Sequence, residues 1–79
     1  MTRAILYTMD NCPYCERAKR LLASKGISTE IIDITDDDLE LNALSAKTGM
    51  FTLPQIWLDD DFIGGCDDLV RLDHAGKVN

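Results

Sequence analysis

Short apolar runs alternate with segments whose apolar residues recur on one helical face, and this alternation predicts strands and helices in turn. Arg3–Thr8 contains the run Ala-Ile-Leu-Tyr, which is typical of a buried strand. From Tyr14 onwards apolar and charged residues fall on opposite faces of a helix that Gly26 ends. Residues 29–34 predict a second strand, so the chain opens with a β-α-β unit whose strands are parallel and joined by a right-handed crossover.

A second helix is predicted after this unit. Either Thr35 or Asp36 can cap its first turn, and Gly49 ends it shortly after Lys47. Its apolar face is modest and consists of the side chains of Leu39, Ala43, Leu44 and Ala46. We expect this face to pack on the sheet.

A β-hairpin and a last helix complete the predicted order. Residues 55–58 form a third strand, an aspartate-rich turn follows, and residues 61–63 form a short fourth strand. Gly64 and Gly65 break that strand, and a helix opens at Cys66 with an inward side made of Leu69, Val70 and Leu72. The order is β-α-β-α-β-β-α. A four-stranded mixed sheet with helices on both faces satisfies it, so we predict a single α/β domain spanning all 79 residues.

Composition and charge narrow the class of protein. Hydrophobic residues make up 46% of the chain and charged residues 28%, which are ordinary proportions for a globular protein. The formal net charge of −6 disfavours nucleic-acid phosphates as partners. The sequence contains neither a signal-peptide pattern nor an apolar stretch long enough to span a bilayer, so we expect no membrane association and a cytoplasmic location.

The spacing of the candidate ligands excludes two kinds of metal site, a calcium loop and a four-ligand zinc site. The aspartates at residues 59–61 superficially resemble a calcium loop, but Ile63 stands at its fifth position and no bidentate glutamate follows at the required distance. A four-ligand zinc site would need all three cysteines and His74, and this set lacks a second ligand pair at zinc spacing. We therefore predict no metal site and interpret the acidic runs as turns or solvated faces.

Cys12 and Cys15 are the residues for which the sequence directly predicts a chemical role. In a reducing compartment a Cys-x-x-Cys pair is usually catalytic or metal-binding. Pro13 suits the first helical position, which makes Cys12 the N-cap and places Cys15 one turn later. The amides of Tyr14 and Cys15 and the helix dipole would then stabilise a Cys12 thiolate, lowering its pKa from about 8.5 to roughly 3.5–7.5. Cys12 is the predicted nucleophile and Cys15 the resolving cysteine.

Three segments together resemble the glutaredoxin family over residues 3–75. They are Tyr7-Thr8 leading to Cys12-Pro13-Tyr14-Cys15, then Thr52-Leu53-Pro54-Gln55, and finally Gly64-Gly65-Cys66-Asp67-Asp68. The resemblance implies a thioredoxin-like fold and a glutathione-linked thiol–disulfide oxidoreductase. It also implies that glutathione is a co-substrate and that no cofactor is tightly bound.

The second of these segments implies part of a glutathione site. The resemblance predicts a cis peptide bond between Leu53 and Pro54. The backbone groups of Leu53 would then pair with the extended backbone of the substrate cysteine and hold its sulfur near Cys12. Tyr14 is expected to line the site beside that sulfur, as similar tyrosines do in the family.

The third segment implies the remainder of the glutathione site. Gly64 and Gly65 let a ligand approach the main chain closely. The amides of Cys66 and Asp67 suit the γ-glutamyl carboxylate of glutathione, and the Asp67 carboxylate suits its ammonium group. An alternative interpretation is that Asp67 and Asp68 merely cap the last helix, although capping and binding can coexist. Cys66 is expected to pack as a small buried side chain rather than to react.

The chain departs from the family pattern at two places. Met9 stands where the family has lysine, and Met50 and Phe51 stand where a basic or polar residue is frequent. The family side chains at these places meet the glycine carboxylate of glutathione, and Lys47 or Arg17 would have to replace them. Each lost ion pair costs roughly 0.2–1 kcal/mol if exposed. We expect weaker glutathione binding than is typical and a less depressed pKa for the nucleophile.

The expected partners are glutathione and disulfide-containing or glutathionylated proteins, which a monomer would reduce by a monothiol or a dithiol route. Two rival functions stay open. One is a redoxin that a thioredoxin-reductase-type flavoenzyme reduces and that donates electrons to ribonucleotide reductase. The other is a non-enzymatic iron–sulfur carrier, in which Cys12 and glutathione hold a cluster shared between two subunits.

Overall fold

The computed structural model describes residues 2–78 and contains every predicted strand and helix in the predicted order. The elements are β1 Arg3–Thr8, α1 Pro13–Ser24, β2 Ser28–Asp33, α2 Asp38–Thr48, β3 Gln55–Leu58, β4 Asp61–Gly64 and α3 Cys66–His74. Predicted and observed boundaries differ by a residue or two. Within residues 2–78 every helix is too short or too polar to traverse a lipid bilayer.

The four strands form one mixed sheet in the order β2-β1-β3-β4. β1 pairs in parallel with β2, as the predicted β-α-β unit requires, and antiparallel with β3. β3 and β4 pair antiparallel and form the predicted hairpin. The thioredoxin-like α/β architecture is therefore confirmed. It also places the loop after β1 and the loop before β3 at the same end of neighbouring strands, because these strands run in opposite directions.

The core lies between the sheet and the pair α1 and α3. Leu6 of β1 and Ile56 of β3 are directly paired, so their side chains share one face, and both are 0% exposed. Ala18, Leu22 and Leu69 from the two helices cover them and are also essentially inaccessible to solvent. Burial of this apolar area is the main stabilising contribution to the fold. It anchors the helices whose N-termini carry the candidate chemistry.

α2 lies against the opposite face of the sheet and is only lightly packed. Its Lys47 ammonium is 5.8 Å from the centre of the Trp57 ring, and the hydroxyl of Thr48 donates a hydrogen bond to Gln55. Trp57 and Gln55 pair with Ile5 and Tyr7 of β1, which alternate with the core residues of that strand and so point away from the core.

The predicted apolar face of α2 is wrong. Of its four members only Leu44 is buried, Ala43 and Ala46 are exposed, and Leu39 is 84% exposed. The least accessible positions of α2 instead follow the helical spacing i, i+3, i+4 and i+7, and they are Leu41, Leu44, Ser45 and Thr48. Half of that stripe is polar, so a pattern search for apolar residues selects the wrong face.

Both N-cap residues predicted for α2 are also wrong, whereas Gly49 ends the helix as predicted. Asp37, rather than Thr35 or Asp36, is the N-cap, and its Oδ1 accepts a hydrogen bond from the Glu40 amide at 3.1 Å. Asp36 has φ of +59° and serves the turn that leads into the helix. Acidic residues at several successive positions made the capping residue ambiguous, because any of them suits the first turn.

Candidate active site

The first component of the candidate site is the start of α1. Cys12 is the N-cap, with extended backbone angles, and Pro13 occupies the first turn. The amide of Cys15 donates a hydrogen bond to the Cys12 sulfur at 3.3 Å. Tyr14, the other predicted donor, makes no such bond. A sulfur at this position faces free amides and the positive end of the helix dipole, which both favour its thiolate form.

The two cysteines differ sharply in accessibility. They form a disulfide with their Cα atoms 5.2 Å apart. Cys15 is 1% exposed, whereas Cys12 is partly exposed and borders a surface hollow that also contains Asn11, Pro13 and Glu16. An external thiol or disulfide can therefore reach the sulfur of Cys12 and not that of Cys15.

A groove of about 420 Å³ lies between the loop before β3 and the start of α3. It is lined by Tyr14, Met50, Thr52, Leu53, Pro54, Gly65, Cys66, Asp67 and Asp68, so the six residues predicted to bind glutathione are brought together in it. This volume is within the range of small-molecule sites. The Leu53–Pro54 peptide bond is cis, as predicted. The Cys12 sulfur is 3.8 Å from the carbonyl oxygen of Leu53, which connects the cysteine to the groove.

The start of α3 forms one wall of the groove, and its two aspartates have different contacts. Asp68 is the capping carboxylate, because its Oδ2 accepts a hydrogen bond from the Gly65 amide at 2.9 Å. Asp68 also pairs with Arg71. Asp67 is exposed, and within residues 2–78 its carboxylate makes no hydrogen bond or ion pair. The capping interpretation therefore holds for Asp68 and is wrong for Asp67, whose charge is available to a ligand.

Comparisons with known proteins agree with this geometry. The family profile described as Glutaredoxin matches residues 4–63. Glutaredoxin 3 of Escherichia coli is 43% identical over 79 residues, which cover all of this chain and 95% of that protein. A glutaredoxin of Pseudomonas aeruginosa is 46% identical over 80 aligned positions, covering all of this chain and 94% of that protein. The chain belongs to the glutaredoxin family. It is accordingly a thiol–disulfide oxidoreductase.

Solved glutaredoxin structures extend the similarity to the whole fold. The glutaredoxin from Brucella melitensis has a TM-score of 0.85 and 42% identity, with 98% of this chain and 84% of that chain covered. A buckwheat glutaredoxin–glutathione complex has a TM-score of 0.90 and 28% identity, with 98% of this chain and 73% of that chain covered. The similarity therefore includes a glutaredoxin that was solved with glutathione.

Cys66 is one of the residues that line the groove, but its side chain is almost completely buried in this glutaredoxin. It is 5% exposed and belongs to the hydrophobic core. Burial raises the pKa of its thiol because the charged thiolate is poorly solvated there; Arg17 opposes this effect and Asp67 adds to it. The prediction that Cys66 packs rather than reacts agrees with this environment.

Of the two cations suggested as replacements for the missing basic residues, only one is near the groove. Lys47 lies over Trp57 on the α2 face of the sheet. Arg17 lies on α1 with its guanidinium carbon 5.9 Å from the centre of the Tyr14 ring, which lines the groove. The charged residues that line the groove itself are both acidic, namely Asp67 and Asp68.

Sequence reasoning missed the role of Gln55. This side chain is 0% exposed, and its Nε2 donates hydrogen bonds to the carbonyl oxygens of Met50 at 2.9 Å and Thr52 at 3.2 Å. Its Oε1 accepts a hydrogen bond from Thr48 at 2.8 Å. Gln55 therefore holds the loop that forms the groove wall. The signal in the sequence was a polar residue at the start of an otherwise apolar strand, directly after Pro54.

Hydrogen bonds that hold the turn before Cys12 were also not predicted from the sequence. The Asp10 amide donates to the Thr35 hydroxyl at 2.8 Å, and that hydroxyl donates to Oδ1 of Asp33 at 2.6 Å. The hydrogen bonds from the side chain and backbone of Thr35 lower the pKa of Asp33. Thr35, expected as a helix cap, instead joins the loop after β2 to the turn that contains Asn11, whose φ is +56°.

Proposed function

We propose that this glutaredoxin reduces protein disulfides and glutathione mixed disulfides, with Cys12 as the nucleophile and glutathione as the reducing co-substrate. The observation that carries the proposal is the position of the Cys12 sulfur. It is hydrogen-bonded at a helix N-terminus, partly exposed, and next to a groove that ends at a second helix N-terminus. The first helix start favours a thiolate, and the second favours an anionic ligand.

In the monothiol route the Cys12 thiolate attacks the glutathione sulfur of a protein–glutathione mixed disulfide. A Cys12–glutathione disulfide forms, and the protein sulfur leaves as a thiolate that takes a proton from solvent. A second glutathione, as its thiolate, attacks the glutathione sulfur bound to Cys12. Oxidised glutathione leaves, and Cys12 returns to its thiolate form.

In the dithiol route the Cys12 thiolate attacks a protein disulfide, forms a mixed disulfide with one protein sulfur and releases the other as a thiolate that takes a proton from solvent. Cys15 loses its proton and attacks the Cys12 sulfur, so the Cys12–Cys15 disulfide forms. The second protein sulfur leaves as a thiolate, which is also protonated, and the protein is released in its dithiol form. Two glutathione molecules reduce that disulfide in succession, with oxidised glutathione as the product. The separation of the two Cα atoms, 5.2 Å, suits this disulfide without a change in the backbone.

Glutathione is assigned to the groove by complementary charge. Its γ-glutamyl carboxylate would accept hydrogen bonds from the amides of Cys66 and Asp67 at the start of α3, and its ammonium group would pair with Asp67. Leu53 would bond its cysteine backbone, with Pro54, Gly65 and Tyr14 forming the surrounding walls. All of these residues line the groove. The similarity to a glutaredoxin–glutathione complex also supports glutathione as the ligand.

The test is glutathione-dependent turnover of the mixed disulfide between glutathione and 2-mercaptoethanol. We expect Cys12→Ser to abolish turnover and Cys15→Ser to retain it if the monothiol route dominates. Cys66→Ala is the matched control, because it removes a sulfur that is buried and outside the proposed chemistry. Activity that survives Cys12→Ser would refute the assignment of the nucleophile.

Two further measurements separate the rival functions. Efficient reduction of the Cys12–Cys15 disulfide by a thioredoxin-reductase-type flavoenzyme, with none by glutathione, would favour the electron donor for ribonucleotide reductase. Visible absorbance after anaerobic reconstitution with iron and sulfide would favour the iron–sulfur carrier. We expect glutathione to reduce the disulfide and the reconstituted protein to show no such absorbance.

A further inference from the structure

The charges near the groove are unevenly distributed. The groove lining contributes the carboxylates of Asp67 and Asp68, and Asp68 is already occupied by the Gly65 amide and by Arg71. Glutathione carries two carboxylates and one ammonium group at neutral pH. A site built from Asp67 and backbone amides alone would attract the ammonium group more strongly than either carboxylate.

Arg17 supplies the positive charge that the groove lining lacks. Its guanidinium lies within about 6 Å of the Tyr14 ring, the usual limit for a cation–π contact, and that ring lines the groove. Among residues 2–78 no carboxylate pairs with Arg17. The guanidinium therefore keeps its hydrogen-bond donors available, in a planar arrangement that matches a carboxylate.

Arg17 and Asp67 both lie near Cys66. Both charges act on the Cys66 thiol, with opposite signs, after the larger effect of its burial. A cation and an anion that both lie near one thiol at the groove match a ligand carbon that bears both a carboxylate and an ammonium group. Such a carbon is the α-carbon at the γ-glutamyl end of glutathione. The glycine end carries only a carboxylate.

We infer that Arg17 is a specificity-determining residue that recognises the α-carboxylate at the γ-glutamyl end of the thiol co-substrate, in concert with Asp67. The inference rests on the proposed function, because it assumes that glutathione occupies the groove. Arg17 thereby selects thiols that carry a free amino-acid end over thiols that lack one. It leaves the reactivity of Cys12 itself unchanged.

The experiment measures the rate constant for reduction of the Cys12–Cys15 disulfide by three thiols. They are glutathione, cysteinylglycine, which lacks the γ-glutamyl group, and 2-mercaptoethanol, which is uncharged. For each thiol the rate constant of Arg17→Gln is divided by that of the wild type, so that differences in intrinsic thiol reactivity cancel. Arg20→Gln, one turn further along α1 and also exposed, is the matched control because it removes the same charge.

We expect Arg17→Gln to lower the ratio for glutathione about two- to five-fold, the size of an exposed ion pair, and to leave the other two ratios near one. Arg17→Lys should lose less, since it keeps the charge but not the planar fork. Added salt should reduce the difference between Arg17→Gln and wild type. Arg20→Gln should resemble the wild type with all three thiols.

The other outcomes overturn the inference in distinguishable ways. Equal losses with glutathione and cysteinylglycine would mean that Arg17 binds the glycine carboxylate. Equal losses with all three thiols would mean that Arg17 acts on Cys12 or on the fold, and unchanged ratios would mean that it has no role in recognition. If the wild type itself shows no preference for glutathione over 2-mercaptoethanol, the proposed function fails, and the role of Arg17 fails with it.

Discussion

The two faces of the sheet are held by different kinds of interaction. On one face α1 and α3 cover the strands with side chains such as Leu22 and Leu69, which are at most 1% exposed. On the other face α2 buries only Leu44 and Ser45, and its Leu39 is 84% exposed. Apolar packing fixes the helices on the first face, whereas α2 is held to the second face largely through Thr48 and Lys47.

This difference explains where the candidate chemistry lies. Both helix N-termini at the groove belong to α1 and α3, the helices on the tightly packed face. An oxidoreductase needs its nucleophile and its ligand amides held in a fixed relative position, because small displacements lose much of the rate. α2 contributes no groove residue, and only the loop that follows it reaches the site.

The largest expected effect comes from truncating one leucine in a helix on each face of the sheet. Leu22→Ala should destabilise the protein by about 2–5 kcal/mol, since it opens a cavity in a packed core. Leu39→Ala should change stability by no more than about 0.5 kcal/mol, since the side chain is already in solvent. Urea denaturation measures both. Similar losses for the two variants would show that α2 packs as tightly as α1.

The second test removes the polar contacts on the α2 side. Gln55→Leu keeps the approximate volume but leaves the carbonyl oxygens of Met50 and Thr52 without their donor. We expect a loss of about 1–3 kcal/mol, the cost of unsatisfied buried groups. We also expect a higher KM for glutathione, because the groove wall loosens. A variant as stable as the wild type would mean that these hydrogen bonds do not hold the loop.

The difference between α1 and α2 also explains which features could be predicted from the sequence. α1 follows a clear apolar pattern and has distinct end signals in Pro13 and Gly26, so its position and its inward face were both predicted correctly. α2 was placed correctly, but its buried stripe includes Ser45 and Thr48, and apolar periodicity cannot identify a half-polar stripe. The groove residues were found through short motifs. The roles of Gln55 and Thr35 depend on contacts across the fold, which spacing does not encode.

A third and smaller test uses the buried hydroxyl of Ser45. Within residues 2–78 this hydroxyl has no hydrogen-bond partner. Ser45→Ala should therefore raise stability by up to about 1 kcal/mol, since it removes an unsatisfied polar group and improves helix propensity. The control is Ser24→Ala at the end of α1, where the hydroxyl is exposed and bonded to the Leu21 carbonyl. A loss of stability in Ser45→Ala would indicate that the hydroxyl is satisfied in solution.

The smallest test concerns the loop that leads into α2, where Asp33 accepts hydrogen bonds from Thr35. The pKa of Asp33 is lowered from its ordinary value of 3.8, so its contribution to stability is fully present above that value. The contribution is lost as the pH falls through the lower pKa of the folded state. Asp33→Asn keeps an acceptor oxygen but does not titrate.

The wild type should therefore lose more stability than Asp33→Asn between about pH 5 and about pH 3, as measured by urea midpoints. The other acidic residues titrate in both proteins, so the difference between the two losses isolates Asp33. Equal losses would mean that Thr35 does not bond the ionised carboxylate in solution. A larger loss in the wild type would show that the ionised Asp33 carboxylate holds Thr35, whose hydroxyl accepts the hydrogen bond from the Asp10 amide in the turn before Cys12.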